Sequence, residues 1–164
     1  MSRWRPPQPR SSPYITPEGR RALEVEVQDL WTRRREVTAA LAAAAAEGDR
    51  SENAEYIYRK KQLRELDRRL GYLQRRLPAL KVVDAVSDRE RVFFGAWVTL
   101  EDAAGAEQEY RIVGPDELDR APEHISVDSP LARALLKRTL DDVVRVETAR
   151  GVAEYVVVDI RYGS

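Results

Sequence analysis

The sequence predicts an α+β chain: an N-terminal antiparallel α-helical coiled-coil hairpin, then a C-terminal body built on an antiparallel sheet. Three observations predict it. Apolar positions step by four and three at Leu23, Val27, Leu30, Val37, Leu41 and Ala44, with Arg34 in the same series. They step by three and four at Leu63, Leu66, Leu70, Leu73, Leu77 and Leu80. That is the heptad rhythm of two coiled-coil helices. Residues 47–56, Glu-Gly-Asp-Arg-Ser-Glu-Asn-Ala-Glu-Tyr, interrupt the rhythm with Gly48, so the second helix turns back on the first. From Val92 onward the periodicity becomes that of strands.

Taken in order, residues 1–13 are rich in Pro, Arg and Ser and show no periodicity, which predicts a disordered tail. Its arginines and Trp4 suit either a solvated extension or contact with an acidic partner. Thr16-Pro17-Glu18 opens the first helix, with Thr16 as cap, Pro17 at the position that needs no N–H, and Glu18 in the first turn. The helix is expected to reach about Ala46 through an alanine-rich stretch that narrows the rod, extending roughly 45 Å at 1.5 Å per residue. The second helix is expected to begin immediately after Gly48 and to end at Leu77 or Leu80, with Pro78 in its last turn. The hairpin thus spans residues 14–80 and the body residues 81–164.

In the body, residues 92–100 and 109–113 flank a turn at Asp102-Ala103-Ala104-Gly105. A short strand is expected at 125–127. A helix capped by Ser129 with Pro130 at its first position follows, then a hairpin about Ala149-Arg150-Gly151.

The chain has 28 basic and 28 acidic residues, unevenly placed. Residues 1–15 carry three basic and no acidic groups, residues 16–80 carry 14 against 11, and residues 81–164 carry 11 against 17. A basic rod on an acidic body results. With no cysteine, disulfides and thiolate metal sites are excluded. No apolar run has membrane length and no signal-peptide core is visible, so a cytoplasmic protein without a membrane partner is expected.

Asp49 and Glu52, three residues apart in the turn, have two compatible readings. They form a capping box at the start of the second helix. They also present two carboxylates on one face, and Mg²⁺ is commonly held by one or two carboxylates with waters or phosphates completing its shell. Such a site is incomplete alone, which points to a partner that supplies further ligands, and to weak Mg²⁺ binding by the free protein. Glu47 and Glu55 add negative charge. On the second helix, Arg59, Lys60, Lys61, Arg64, Arg68, Arg69, Arg75 and Arg76 form either a solvated face or a surface for nucleic-acid phosphates. Arg34, on the seam, needs a carboxylate such as Asp67 or Glu65. His124 is the single histidine, with no partner evident from sequence.

The stretches at 47–56, Phe-Phe-Gly-Ala-Trp-Val at 93–98, Tyr-Arg-Ile-Val-Gly at 110–114 and Ile-Ser-Val-Asp-Ser-Pro-Leu-Ala-Arg-Ala-Leu-Leu at 125–136 resemble the bacterial Gre transcript-cleavage factors, in particular their GreB branch. The resemblance covers nearly all of residues 14–162. It implies a coiled coil followed by an FKBP-like body that docks on RNA polymerase at the mouth of its secondary channel. It implies that the coiled coil reaches the polymerase active site, where Asp49 and Glu52 help hold a shared Mg²⁺ and activate water for cleavage of backtracked nascent RNA. Ser51, Asn53 and Tyr56 would support the tip. Arg59, Lys60, Lys61, Arg64 and Arg68 would contact the extruded RNA, and Asp128, Ser129 and Pro130 would dock the polymerase. Such a factor is a monomer that stimulates the polymerase and is not itself an enzyme. The competing expectations are a channel regulator of the same fold that does not support cleavage, a coiled-coil scaffold, and prolyl isomerisation by the body, for which fold analogy is the sole support.

Overall fold

In the computed structural model, the described residues are 11–47, 53–84 and 86–163. They fall into two units: Arg20–Leu80, and the chain on either side of it.

The first unit is the helical hairpin. Helix α1 (Pro17–Ala45) contributes nearly all its length to it, and α2 (Ala54–Arg76) follows, continued by a 3₁₀ turn at Leu77–Ala79 that holds Pro78. The predicted seam is the buried one. Leu23, Leu30, Val37 and Ala44 of α1 are buried at intervals of seven, and Leu66, Leu70 and Leu73 of α2 are buried at steps of four and three. Arg34 meets the need its seam position creates: its Nε donates to Asp67 Oδ1 at 2.7 Å. The bond and charge of Asp67 raise the Arg34 pKa above its ordinary value. A second cross-pair, unforeseen in the sequence, is bidentate. Arg69 donates through Nε and Nη2 to the two Glu26 oxygens at 2.7 and 3.0 Å.

The second unit is a five-stranded sheet with a short helix. Its strands are β3 (Trp97–Asp102), β4 (Glu107–Val113), β5 (His124–Ser126), β6 (Val143–Thr148) and β7 (Gly151–Arg161), in the order β5-β4-β3-β7-β6. Helix α3 (Pro130–Leu135) opens with Ser129, whose Oγ accepts from Ala132 N at 3.2 Å. Alternation along β3 sends Val98 and Leu100 into a core with Ile112, Leu135, Val144 and Val157. The Asp102–Gly105 turn closes as expected. Asp102 Oδ1 accepts from Ala104 N and Ala106 N, and Gly105 adopts φ +84°.

Three expectations are corrected. The sheet is mixed, because β5 pairs with β4 in parallel, reached through a 3₁₀ turn at Pro115–Arg120 instead of a hairpin. The first body strand starts at Trp97, not Val92; Gly95 at φ +88° bends the chain before it, and Val92 bonds with Lys137 and Arg138 instead. Finally, residues 11–13 of the expected tail are held. The Asp128 carboxylate accepts from both the backbone N and the hydroxyl of Ser12, and Pro13 O accepts from Lys81 N at 2.7 Å. The next residues form β1 (Tyr14–Ile15), parallel to β2 (Lys81–Val82), a pair that two-residue strands do not announce in sequence.

A buried carboxylate secures this start. Glu117, 1% exposed, accepts from Thr16 N at 3.0 Å, Gly114 N at 2.7 Å and the Thr16 hydroxyl. Thr16 Oγ1 in turn caps α1 by accepting from Gly19 N at 3.1 Å.

Candidate functional site

The end of the hairpin is built by Asn53. It is the N-cap of α2, in extended conformation, and its Oδ1 accepts from Tyr56 N at 3.1 Å. Its Nδ2 donates to Ala44 O, one residue from the end of α1, at 2.8 Å. One amide thus satisfies an orphan donor of the second helix and a carbonyl near the end of the first. This corrects the predicted helix start. The α2 cap is Asn53, four residues beyond Asp49, so an Asp49–Glu52 capping box does not begin this helix. Asp49, Ser51 and Glu52 themselves lie outside the described residues. Among the described residues, no group of three or more His, Asp or Glu side chains converges as a metal site.

Tyr56 follows in the first turn of α2, with the Lys60 ammonium 5.8 Å from its ring centroid. Beyond it, the predicted basic residues divide. At 3.6 residues per turn, Lys60, Lys61, Arg64 and Arg68 share the face opposite Leu66, Leu70 and Leu73, together with exposed Ile57. Among the described residues these four make no ion pair. Arg59 lies instead toward the seam, where its Nε donates to Glu55 at 2.8 Å and its Nη1 to Gln62 at 3.1 Å. The arrangement offers phosphates an outward stripe of four cations, with Arg59 engaged elsewhere.

In the body, Ser129 and Pro130 begin α3 as a cap and first-turn proline. Asp128, whose N bonds Ser126 Oγ at 3.0 Å, uses its carboxylate on Ser12. His124 has partners that the sequence did not reveal. Its Nδ1 lies 3.1 Å from Glu117 O, and its ring meets Trp97 edge-on at 6.2 Å. Trp97 also lies beside Arg161, 4.4 Å from the indole centroid, and Arg161 is bound bidentately by Glu109, which raises its pKa. These contacts identify His124 as part of the sheet's packing.

The chain matches two family models in succession. Residues 13–82 match the model described as transcription elongation factor, N-terminal, and residues 87–162 that described as transcription elongation factor, GreA/GreB, C-term. It is 60% identical to transcription elongation factor GreB of Xanthomonas axonopodis pv. citri, over 100% of this chain and 99% of the relative. Against transcription elongation factor GreB of Pseudomonas aeruginosa the identity is 56%, over 99% and 98%. Among solved structures, the GreA factor homolog 1 protein of Thermus thermophilus is 25% identical over 90% of this chain and 97% of its own, with a TM-score of 0.42. Among the described residues, no helix is long and apolar enough to cross a membrane.

Proposed function

The chain belongs to the GreA/GreB family of transcription elongation factors, and from that premise we propose that it rescues backtracked RNA polymerase by completing the polymerase's own RNA-cleavage site. The hairpin enters the secondary channel and brings Asp49 and Glu52 to the catalytic centre. Two carboxylates fit Mg²⁺ in donor chemistry and leave most of its octahedral shell to polymerase groups, water and the RNA phosphate. When bound, the ion supplies positive charge to the scissile phosphodiester and lowers the pKa of a water ligand.

The protein's own part is binding, reach and placement. Asn53 ties α1 to α2 and so fixes where the five-residue connection between Glu47 and Asn53 begins and ends. The outward cations Lys60, Lys61, Arg64 and Arg68 hold the extruded RNA strand, and residues 128–130 dock the body on the polymerase. The factor acts as a cytoplasmic monomer and contributes ligands without being an enzyme by itself.

The supporting observation is that Asn53 already fills the α2 cap. Asp49 and Glu52 are therefore not accounted for by helix capping, while their chemistry matches a shared Mg²⁺. The test is cleavage in stalled, backtracked elongation complexes with Asp49→Asn and Glu52→Gln, each first shown to compete for polymerase as well as the parent. Cleavage is expected to fall by about a hundredfold or more, the scale of a lost positioned catalytic group. Normal cleavage by both variants overturns the reading. A parent that binds but stimulates nothing would make it a channel regulator instead.

A further inference from the structure

Helix α2 repeats one arrangement on its exposed side. Tyr58, Glu65 and Tyr72 follow one another at intervals of seven, and so do Lys61, Arg68 and Arg75, each three residues further along. A heptad interval returns a coiled-coil helix to the same face, so these residues form two adjacent exposed rows, one of cations and one carrying two tyrosines. Tyr58 is 58% exposed and Tyr72 37%. Each ring is backed by an arginine that is itself held. Arg69 lies 5.5 Å from the Tyr72 centroid while Glu26 grips its guanidinium through two bonds. Arg59 lies 5.6 Å from the Tyr58 centroid while Glu55 and Gln62 accept from it. We infer that Tyr58 and Tyr72 are stacking platforms for the bases of single-stranded RNA, whose phosphates run along Lys61, Arg68 and Arg75. This rests on the function proposed above, which brings extruded RNA to the hairpin; beyond that function, the bases are bound as well as the phosphates.

A row of cations alone fits any polyanion. Rings beside it favour an unpaired strand, because bases in a duplex stay stacked on their neighbours while those of a single strand can lie against an aromatic face. The pinned arginines hold one side of each ring by cation–π attraction, so the rings lose little freedom when a base covers the other. At 1.5 Å per residue the two tyrosines stand about 21 Å apart along the axis, and an extended strand of a few nucleotides meets both. Between them, Glu65 repels phosphates toward the cation row and offers an acceptor to base amino groups. A recess of about 110 Å³ lined by Tyr58, Lys61, Gln62 and Glu65 puts ring, cation and carboxylate around one space. Stacking tolerates any base, as a factor that meets transcripts of every sequence requires.

The test uses the free chain with ¹³C in its tyrosine rings, the Tyr58 and Tyr72 signals being assigned through Tyr58→Phe and Tyr72→Phe. It is titrated at low salt with octaadenylate RNA and with an abasic ribose-phosphate strand of the same length and charge. The adenylate strand is expected to shift both ring signals and to bind more tightly than the abasic strand by about tenfold per stacked base. Tyr58→Leu combined with Tyr72→Leu is expected to bring the two strands to equal affinity, while the Phe variants, which keep a ring, retain the preference. Equal affinity of the parent for both strands overturns the proposal. So does binding of neither, or adenylate binding that leaves both ring signals in place. The double Leu variant is also expected to compete as well as the parent for polymerase that holds no extruded RNA. Weaker competition there would set the rings against polymerase and overturn the proposal too. Neither measurement involves cleavage, so failure here leaves Asp49 and Glu52 to their own assay.

Discussion

Asn53 works at both ends of its amide, and the two ends can be separated by mutation. Asn53→Ala removes the cap on Tyr56 N and the donor to Ala44 O together, and is expected to cost about 0.5–2 kcal/mol in urea unfolding. Asn53→Asp keeps an acceptor for Tyr56 N but loses the donor and sets a negative charge beside a carbonyl near the α1 C-terminus. Asn53→Asp should therefore protect the Tyr56 amide from hydrogen exchange as the parent does, yet lower cleavage as Asn53→Ala does. Equal cleavage by parent and Asn53→Asp would show that the bond to Ala44 has no part in placing the tip. Propensity alone could not identify this cap. Asp49 and Asn53 are both good N-cap residues, and Glu52 follows Asp49 at capping-box spacing. What distinguishes Asn53 is its Nδ2 bond across the turn, which no local pattern encodes.

At the scale of elements, the long periodic ones were legible and the short ones were not. Seven-residue spacing identified both helices and the buried seam, because burying one face of a helix needs nothing beyond its period. The two-residue strands β1 and β2 have no period to detect, and β5 is three residues long. Their pairing depends on the Pro115–Arg120 turn and on buried Glu117, which joins nearby Gly114 to Thr16, 101 residues away in sequence. The division of the basic face is also helical geometry, once the seam fixes which side is inward. Two glycines give contrasting expectations. At Gly71, within α2, a new Cβ would meet only the flexible Arg75 Nη1, at 3.3 Å. Gly71→Ala should raise stability by about 0.5–1 kcal/mol. At Gly114, Cβ would lie 1.9 Å from the Tyr14 carbonyl, a backbone atom. Gly114→Ala should lower stability by about 1–3 kcal/mol or more. Urea titrations of the two variants check both signs.

For the whole molecule, reach and docking are assigned to different stretches of chain. Removing one heptad from each helix at matched heights would shorten the rod by about 10 Å while preserving the seam. Such a variant should still compete for polymerase through its body but should not stimulate cleavage. Cleavage at the parent rate would show that length is not what delivers the acids.

The parallel pair β1–β2 gives this division a further meaning. Tyr14 lies opposite Lys81 and Ile15 opposite Val82, so the chain departs from the body and comes back to it through neighbouring strands. Residues 20–80 are in effect an insert whose flanking segments meet in the β1–β2 pair. Any hairpin that closes the same gap could be spliced there without altering the path of the remaining fold. The handle and the probe are thus interchangeable parts: a tool carrying a different tip would keep the same grip.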